Sequence, residues 1–202
     1  MLSFRADHAR ARDAVLTKVS DEMVDEVDLT PIQSRVTDQD EYLARPDLGR
    51  QISDETKARI RDECTLDPDV QILVCDGLSS TAVEANVPDL LPMLADGLEE
   101  HGFKVGTPLF VKFGRVDVMD TIGETLGATS VVNLIGERPG LNTAESLSAY
   151  LVYDPDPEKP TAKKSVISNI HADGLPAVEA GAQIIALVER MHEQQGSGID
   201  LN

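Results

Sequence analysis

The hydrophobic pattern of the chain changes character at Pro68. Before it, apolar residues are diluted in polar sequence. After it come short apolar runs, each followed by a polar loop. Val70 to Cys75 is a run of β-branched and apolar residues, the pattern of a strand buried on both faces. Further strands are predicted over residues 107–112, 130–135, 146–153 and 166–170. Between the first two, helical sequence runs from the loop Asp76-Gly77-Leu78-Ser79-Ser80 to about His101. Pro88 and Pro92 are expected to interrupt or restart it, and Gly102 to end it. A helix over 118–126 stops at Gly127. The last helix opens near Pro176, carries Ile184, Leu187, Val188 and Met191 on one face, and ends at Gly196.

The first 67 residues read differently. Residues 6–27 predict a helix capped by Asp7. A polar stretch over 28–51 follows, broken by Pro31, Pro46 and Gly49, and then a short helix from Ser53 to Cys64. The chain has no internal repeat. Strands alternating with helices predict an α/β protein with a doubly wound, mainly parallel sheet over residues 68–202. Residues 1–67 are expected to form an N-terminal helical appendage. Ligands of such sheets settle beyond the C-terminal ends of the strands. That directs attention to the loops over 76–80, 114–117 and 136–140.

Charge narrows the partners. The 202 residues carry 36 acidic and 18 basic side chains, a net charge of −18. Phosphate-rich nucleic acid and anionic membrane surfaces would be repelled. The longest stretch without a charge, Thr125 to Gly136, is well short of the ~20 residues a membrane span needs. The acidity fits either a surface adapted to high salt or an ordinary soluble one. The start of the chain lacks the apolar core of a secretory signal, so the cytoplasm is expected. Two cysteines, Cys64 and Cys75, are too few for a disulfide framework or a zinc ribbon. Cys75, inside the first strand, reads as a small core residue.

Common chemistries find little support. The first strand-to-helix turn holds one glycine, Gly77, not the G-x-G-x-x-G of a dinucleotide site. No P-loop and no G-x-S-x-G is present. His192-Glu193 opens like a zinc-binding helix but meets Gly196 where the second histidine belongs. His192 therefore reads as a solvated helix end, and His171 as a loop histidine.

Four segments resemble one family, in its order. Asp76-Gly77-Leu78-Ser79, Gly114-Arg115-Val116, Ile135 to Leu141 with its G-E-R-P-G-L run, and Ile167-Ser168-Asn169-Ile170 are similar to successive motifs of the small subunit of ethanolamine ammonia-lyase. The run Asp7-His8-Ala9-Arg10-Ala11-Arg12-Asp13-Ala14-Val15 resembles that subunit's N-terminal helical segment. The resemblance implies a Rossmann-like domain that clamps adenosylcobalamin at the interface with a large catalytic subunit, in a hetero-oligomer of large–small pairs. The complex would convert ethanolamine to acetaldehyde and ammonia. It implies no catalytic residue in this chain.

Three cofactor-binding positions carry over: Val116 in G-R-V, Glu137 in G-E-R-P-G-L, and the residue before I-S-N-I, often cysteine in relatives and Val166 here. Glu137 would accept hydrogen bonds from the amides rimming the corrin ring, and the valines would offer apolar surface. From the residues alone, Glu137 reads first as an ion pair with Arg138 or Arg115, or as a helix cap, and the valines as core. No metal ligand is expected: no histidine has an aspartate two residues before it, so the D-x-H-x-x-G motif that supplies cobalt with a protein base is missing. Relatives usually carry more residues ahead of the Asp7 motif, where only Met1 to Ala6 stand here, which leaves enclosure in a bacterial microcompartment open. Two other readings stand beside this one: a single-chain Rossmann-type oxidoreductase or transferase, and a purely structural subunit.

Overall fold

Six strands form one sheet in the order β1-β3-β2-β4-β5-β6. The computed structural model describes residues 18–138 and 143–201. Strands β2 (Val70–Cys75) and β4 (Ser130–Gly136) are buried along their whole length. They pair in parallel, and β3 (Leu109–Lys112) pairs in parallel with β2 on the other side. Alternation along β2 divides the core. Ile72 and Val74 pack on one face, and Leu73 and Cys75 on the other. Helices cover both faces, which is why these strands are mostly apolar.

The first face carries α1 (Asp21–Glu26), α4 (Ser80–Glu100) and α6 (Ala177–Gln194). The second carries α3 (Asp54–Glu63) and α5 (Val118–Leu126); the short helix α2 (Gln39–Ala44) places Tyr42 in a small cluster with Val36 and Phe113. Four helices have a serine or aspartate at the N-cap position whose side chain accepts a first-turn N–H: Ser20 for α1, Asp38 for α2, Ser53 for α3 and Ser79 for α4.

The class is α/β, but the sheet is mixed, which corrects the mainly parallel, doubly wound expectation. Strand β5 (Leu147–Tyr153) runs antiparallel to β4, and β6 (Ser165–Ile170) antiparallel to β5. The reason is visible in the spacing. The links between β4 and β5 and between β5 and β6 are each about ten residues, while a parallel crossover needs a dozen or more.

A second correction concerns the appendage. Residues 30–33, inside the stretch expected to be an irregular part of a helical segment, form β1 (Thr30–Gln33), which pairs in parallel with β3. The sheet therefore continues across the expected boundary at residue 68. Pro31 is tolerated because β1 is an edge strand. The helix expected over 6–27 is described only from residue 18, where α1 occupies Asp21–Glu26; Asp7 and its motif lie outside the described residues.

Pro88 and Pro92 do not break α4, which is continuous over 21 residues. Its buried stripe of Val83, Val87, Leu90, Leu94 and Leu98 fixes the helix against the sheet. Pro92 is exposed, on the outer side, where carbonyls deprived of a partner meet water. Helix α6 ends at Gln194, with Gln195 as its left-handed C-cap (φ 54°) and the expected Gly196 directly after it. Cys75 is core, as expected. His192 is not a solvated helix end. It is half-buried between Phe103 and Tyr153, with Nε2 2.9 Å from Ser130 Oγ. Its pKa is lowered, chiefly by burial. His171 pairs with Asn169 Oδ1 in its loop.

Candidate functional site

The C-terminal ends of β2, β3 and β4 meet in a close-fitted junction. Asp76, just past β2, accepts backbone N–H groups from Gly77, Phe113 and Gly114 at 3.0, 2.9 and 3.3 Å. These bonds clamp the β2 and β3 ends together. Burial nonetheless raises its pKa to about 6, outweighing the three donors. Gly77 is left-handed (φ 60°), and a Cβ there would lie 2.2 Å from the carbonyl oxygen of Gly136. Leu78 N–H donates to that same carbonyl at 2.9 Å. Glycine is required here because the β2 and β4 ends touch backbone to backbone.

Val116 lies between the β3 end and α5. Asn133 Nδ2, from β4, donates to its carbonyl at 3.2 Å. The other amide atom, Asn133 Oδ1, and the hydroxyl Oγ of Ser148 are buried without a hydrogen-bond partner. Arg115 stacks on Tyr42, 4.0 Å from the ring centroid, and donates to the Tyr42 carbonyl at 2.8 Å.

Glu137 leaves the end of β4 half-buried. Among the described residues no ion pair reaches it, from Arg138 or from Arg115. Instead Tyr150 on β5 donates its hydroxyl to Glu137 Oε1 at 3.2 Å. The Tyr150 pKa is raised, first by burial and then by the neighbouring Glu137.

Val116, Glu137 and Tyr150 line one shallow concavity of about 90 Å³, together with Gly77, Leu78 and Arg115. Val166 is not in it. It lies one strand further out, directly opposite Tyr150 in the β5–β6 ladder, and is 53% exposed. Two of the three sequence-derived positions thus converge, and Tyr150 connects them to the third.

Tyr150 and Asn133 were missed by sequence reasoning. Asn133 had a signal, a polar amide in an otherwise apolar strand. Tyr150 had none, since a tyrosine in a strand is ordinary.

Such a hollow can accept hydrogen bonds from a ligand at Glu137. It offers one acid acceptor, Glu137, beside the apolar surface of Val116. A 90 Å³ hollow is far too small to enclose a ligand of ordinary size. Among the described residues, no group of three or more histidines, cysteines or acids is placed to hold a metal ion, and no helix is long and apolar enough to cross a membrane.

Fold and hollow together define an α/β protein with a mixed six-stranded sheet and an open concavity at its strand ends. The whole chain, residues 1–202, matches the ethanolamine ammonia-lyase light chain, and it belongs to that family. It is 52% identical over 200 residues to the ethanolamine ammonia-lyase small subunit of Clostridium perfringens, covering 99% of this chain and 68% of that protein. The small subunits of Fusobacterium nucleatum and Clostridium acetobutylicum are 48% and 45% identical, covering 100% and 99% of this chain and 68% and 83% of theirs.

Proposed function

We propose that this chain is the light subunit of an adenosylcobalamin-dependent ethanolamine ammonia-lyase. In this reading it clamps the cofactor against a large subunit that carries the catalytic residues, in a complex of large–small pairs. The complex converts ethanolamine to acetaldehyde and ammonia. The observation that carries the reading is the convergence of Val116 and Glu137 on one strand-end hollow, with Tyr150 leading from Glu137 to Val166.

When bound, the cofactor supplies the radical chemistry through homolysis of its cobalt–carbon bond. This chain's residues hold and orient it. Glu137, fixed by Tyr150, accepts from rim amides, while Val116 and Val166 give apolar contact on either side. The Rossmann-like character lies in the parallel half of the sheet, whose strand ends present these loops. A dinucleotide has less support, because the turn after β2 carries one glycine, Gly77, and not the G-x-G-x-x-G that lets backbone approach a pyrophosphate. The cytoplasm is the proposed compartment, with enclosure in a microcompartment a separate question.

Co-expression with a large subunit tests the proposal. The complex should bind adenosylcobalamin, with a change in visible absorbance, and turn over ethanolamine. The isolated chain should be inactive and bind weakly. Turnover by the isolated chain, or thermal stabilisation by NAD and not by a cobalamin, would overturn it. If Glu137→Ala leaves both assembly and cobalamin affinity unchanged, the chain is a structural subunit only.

A further inference from the structure

Lys164 is the only lysine or arginine that is buried among the described residues. Its ammonium lies 2.7 Å from Asp120 Oδ2 and 3.1 Å from Asp117 Oδ1. The side chains of Lys164 and Asp120 are each only 2% exposed. Arg50 extends the chain of charges, 3.4 Å from Asp117 on its outer side. Both acids belong to the start of α5, Asp117 as its N-cap residue and Asp120 in its first turn.

The placement of this cluster ties together two distant parts of the site. Asp117 directly follows Val116. Lys164 is two residues ahead of Val166 in extended backbone, so both side chains leave the same side of the strand. No strand pairing links these two segments. Val116 follows β3, while Val166 is on the edge strand β6, with β2, β4 and β5 between. The Lys164 bridge connects the β6 start directly to the helix that follows Val116. Buried ion pairs are poor sources of stability, since apolar replacements often do as well. They do fix a separation, because each charge is costly without its partner.

The geometry points to Lys164 as a positioning residue for the cofactor face: its contacts with Asp117 and Asp120 hold the Val116 loop and the Val166 strand at one fixed separation. This rests on the cobalamin reading above and adds to it the device that sets the span between two contact points. Lys164 itself touches no ligand.

The test uses the assembled light–large complex, titrated with cyanocobalamin and followed by visible absorbance. Lys164→Met should weaken binding at least about tenfold while the subunits still associate. The double variant Lys164→Met/Asp120→Leu replaces the charges with apolar contact and should recover melting temperature without recovering affinity. Ile184→Val, on the opposite face of the sheet, should leave affinity within about twofold. Wild-type-like affinity in the double variant would overturn the proposal. Amide hydrogen exchange of the cobalamin-free wild-type complex gives an independent reading. Residues 114–118 and 164–168 should open at a common rate; separate rates would also overturn it. Failure of the wild-type complex to bind cyanocobalamin would count against the functional reading, while the exchange rates still decide the role of Lys164.

Discussion

The hydroxyl of Tyr150 donates to Glu137 Oε1 at 3.2 Å. Through that bond the side chain that leaves the buried strand β4 is held by the strand next to the sheet edge. Tyr150 is in turn the register partner of Val166. An acid acceptor and an exposed valine, 29 positions apart in sequence, share one support.

This relationship predicts graded effects on cofactor binding. Glu137→Ala in the assembled complex should weaken cobalamin binding by about 1–3 kcal/mol, the worth of a hydrogen bond to a charged acceptor. Tyr150→Phe should cost less, since it loosens the acceptor without removing it. Glu137→Gln should also lower the Tyr150 titration midpoint, because Glu137 is one cause of its rise. Phenolate absorbance against pH checks the last point, and an unmoved midpoint would contradict it.

Asp76 should titrate at about 6 in the folded protein, against 3.8 for the unfolded group. The folded state holds this proton more tightly. Its contribution to stability is therefore full below 3.8 and is lost as pH rises through about 6. Carboxyl carbon shifts followed by NMR give the midpoint. A midpoint at the ordinary carboxylate value would show that the three backbone donors, and not burial, control the group.

Gly77→Ala should destabilise the chain by about 1–3 kcal/mol, because it adds backbone strain and a clash. Its Cβ would lie 2.2 Å from the Gly136 carbonyl oxygen in a left-handed backbone. Gly102→Ala is the control. Gly102 is also left-handed, at φ 88°, but has nothing within 4 Å of the added carbon, so only the conformational cost remains. Urea midpoints should rank Gly77→Ala well below Gly102→Ala.

His192 should make the fold sensitive to mild acid. Burial lowers its pKa below the ordinary 6.5, so the unfolded chain takes up the proton first. Its contribution is present above pH 6.5 and is lost as pH falls toward the folded value. Urea midpoints at successive pH values should show a loss below 6.5 that His192→Gln reduces. An identical pH dependence in the two proteins would refute this.

Much of the parallel half was legible in the chain. The run Val70–Cys75, the helix 118–126 with Gly127 behind it, and the final helix from Pro176 all stand where their patterns place them. These elements are buried on a face or on both sides, so burial writes itself into residue type. Strand β1 was not legible. As an edge strand containing a proline, it carries only one buried residue, Ile32. The direction of β5 was legible only in the length of its connection. For the site, the motifs marked Val116, Glu137 and Val166, but spacing could not reveal that Tyr150 is the bond between them.

The sequence by itself determined the buried strands and the longer helices, that the class is α/β, and which loops end at the strand tips, because local periodicity and burial fix those. Tertiary structure alone decided that β1 closes one edge, that β5 and β6 turn back on the sheet, and that Lys164 reaches Asp117 and Asp120. Those outcomes depend on contacts between residues far apart in the chain, which no local pattern encodes.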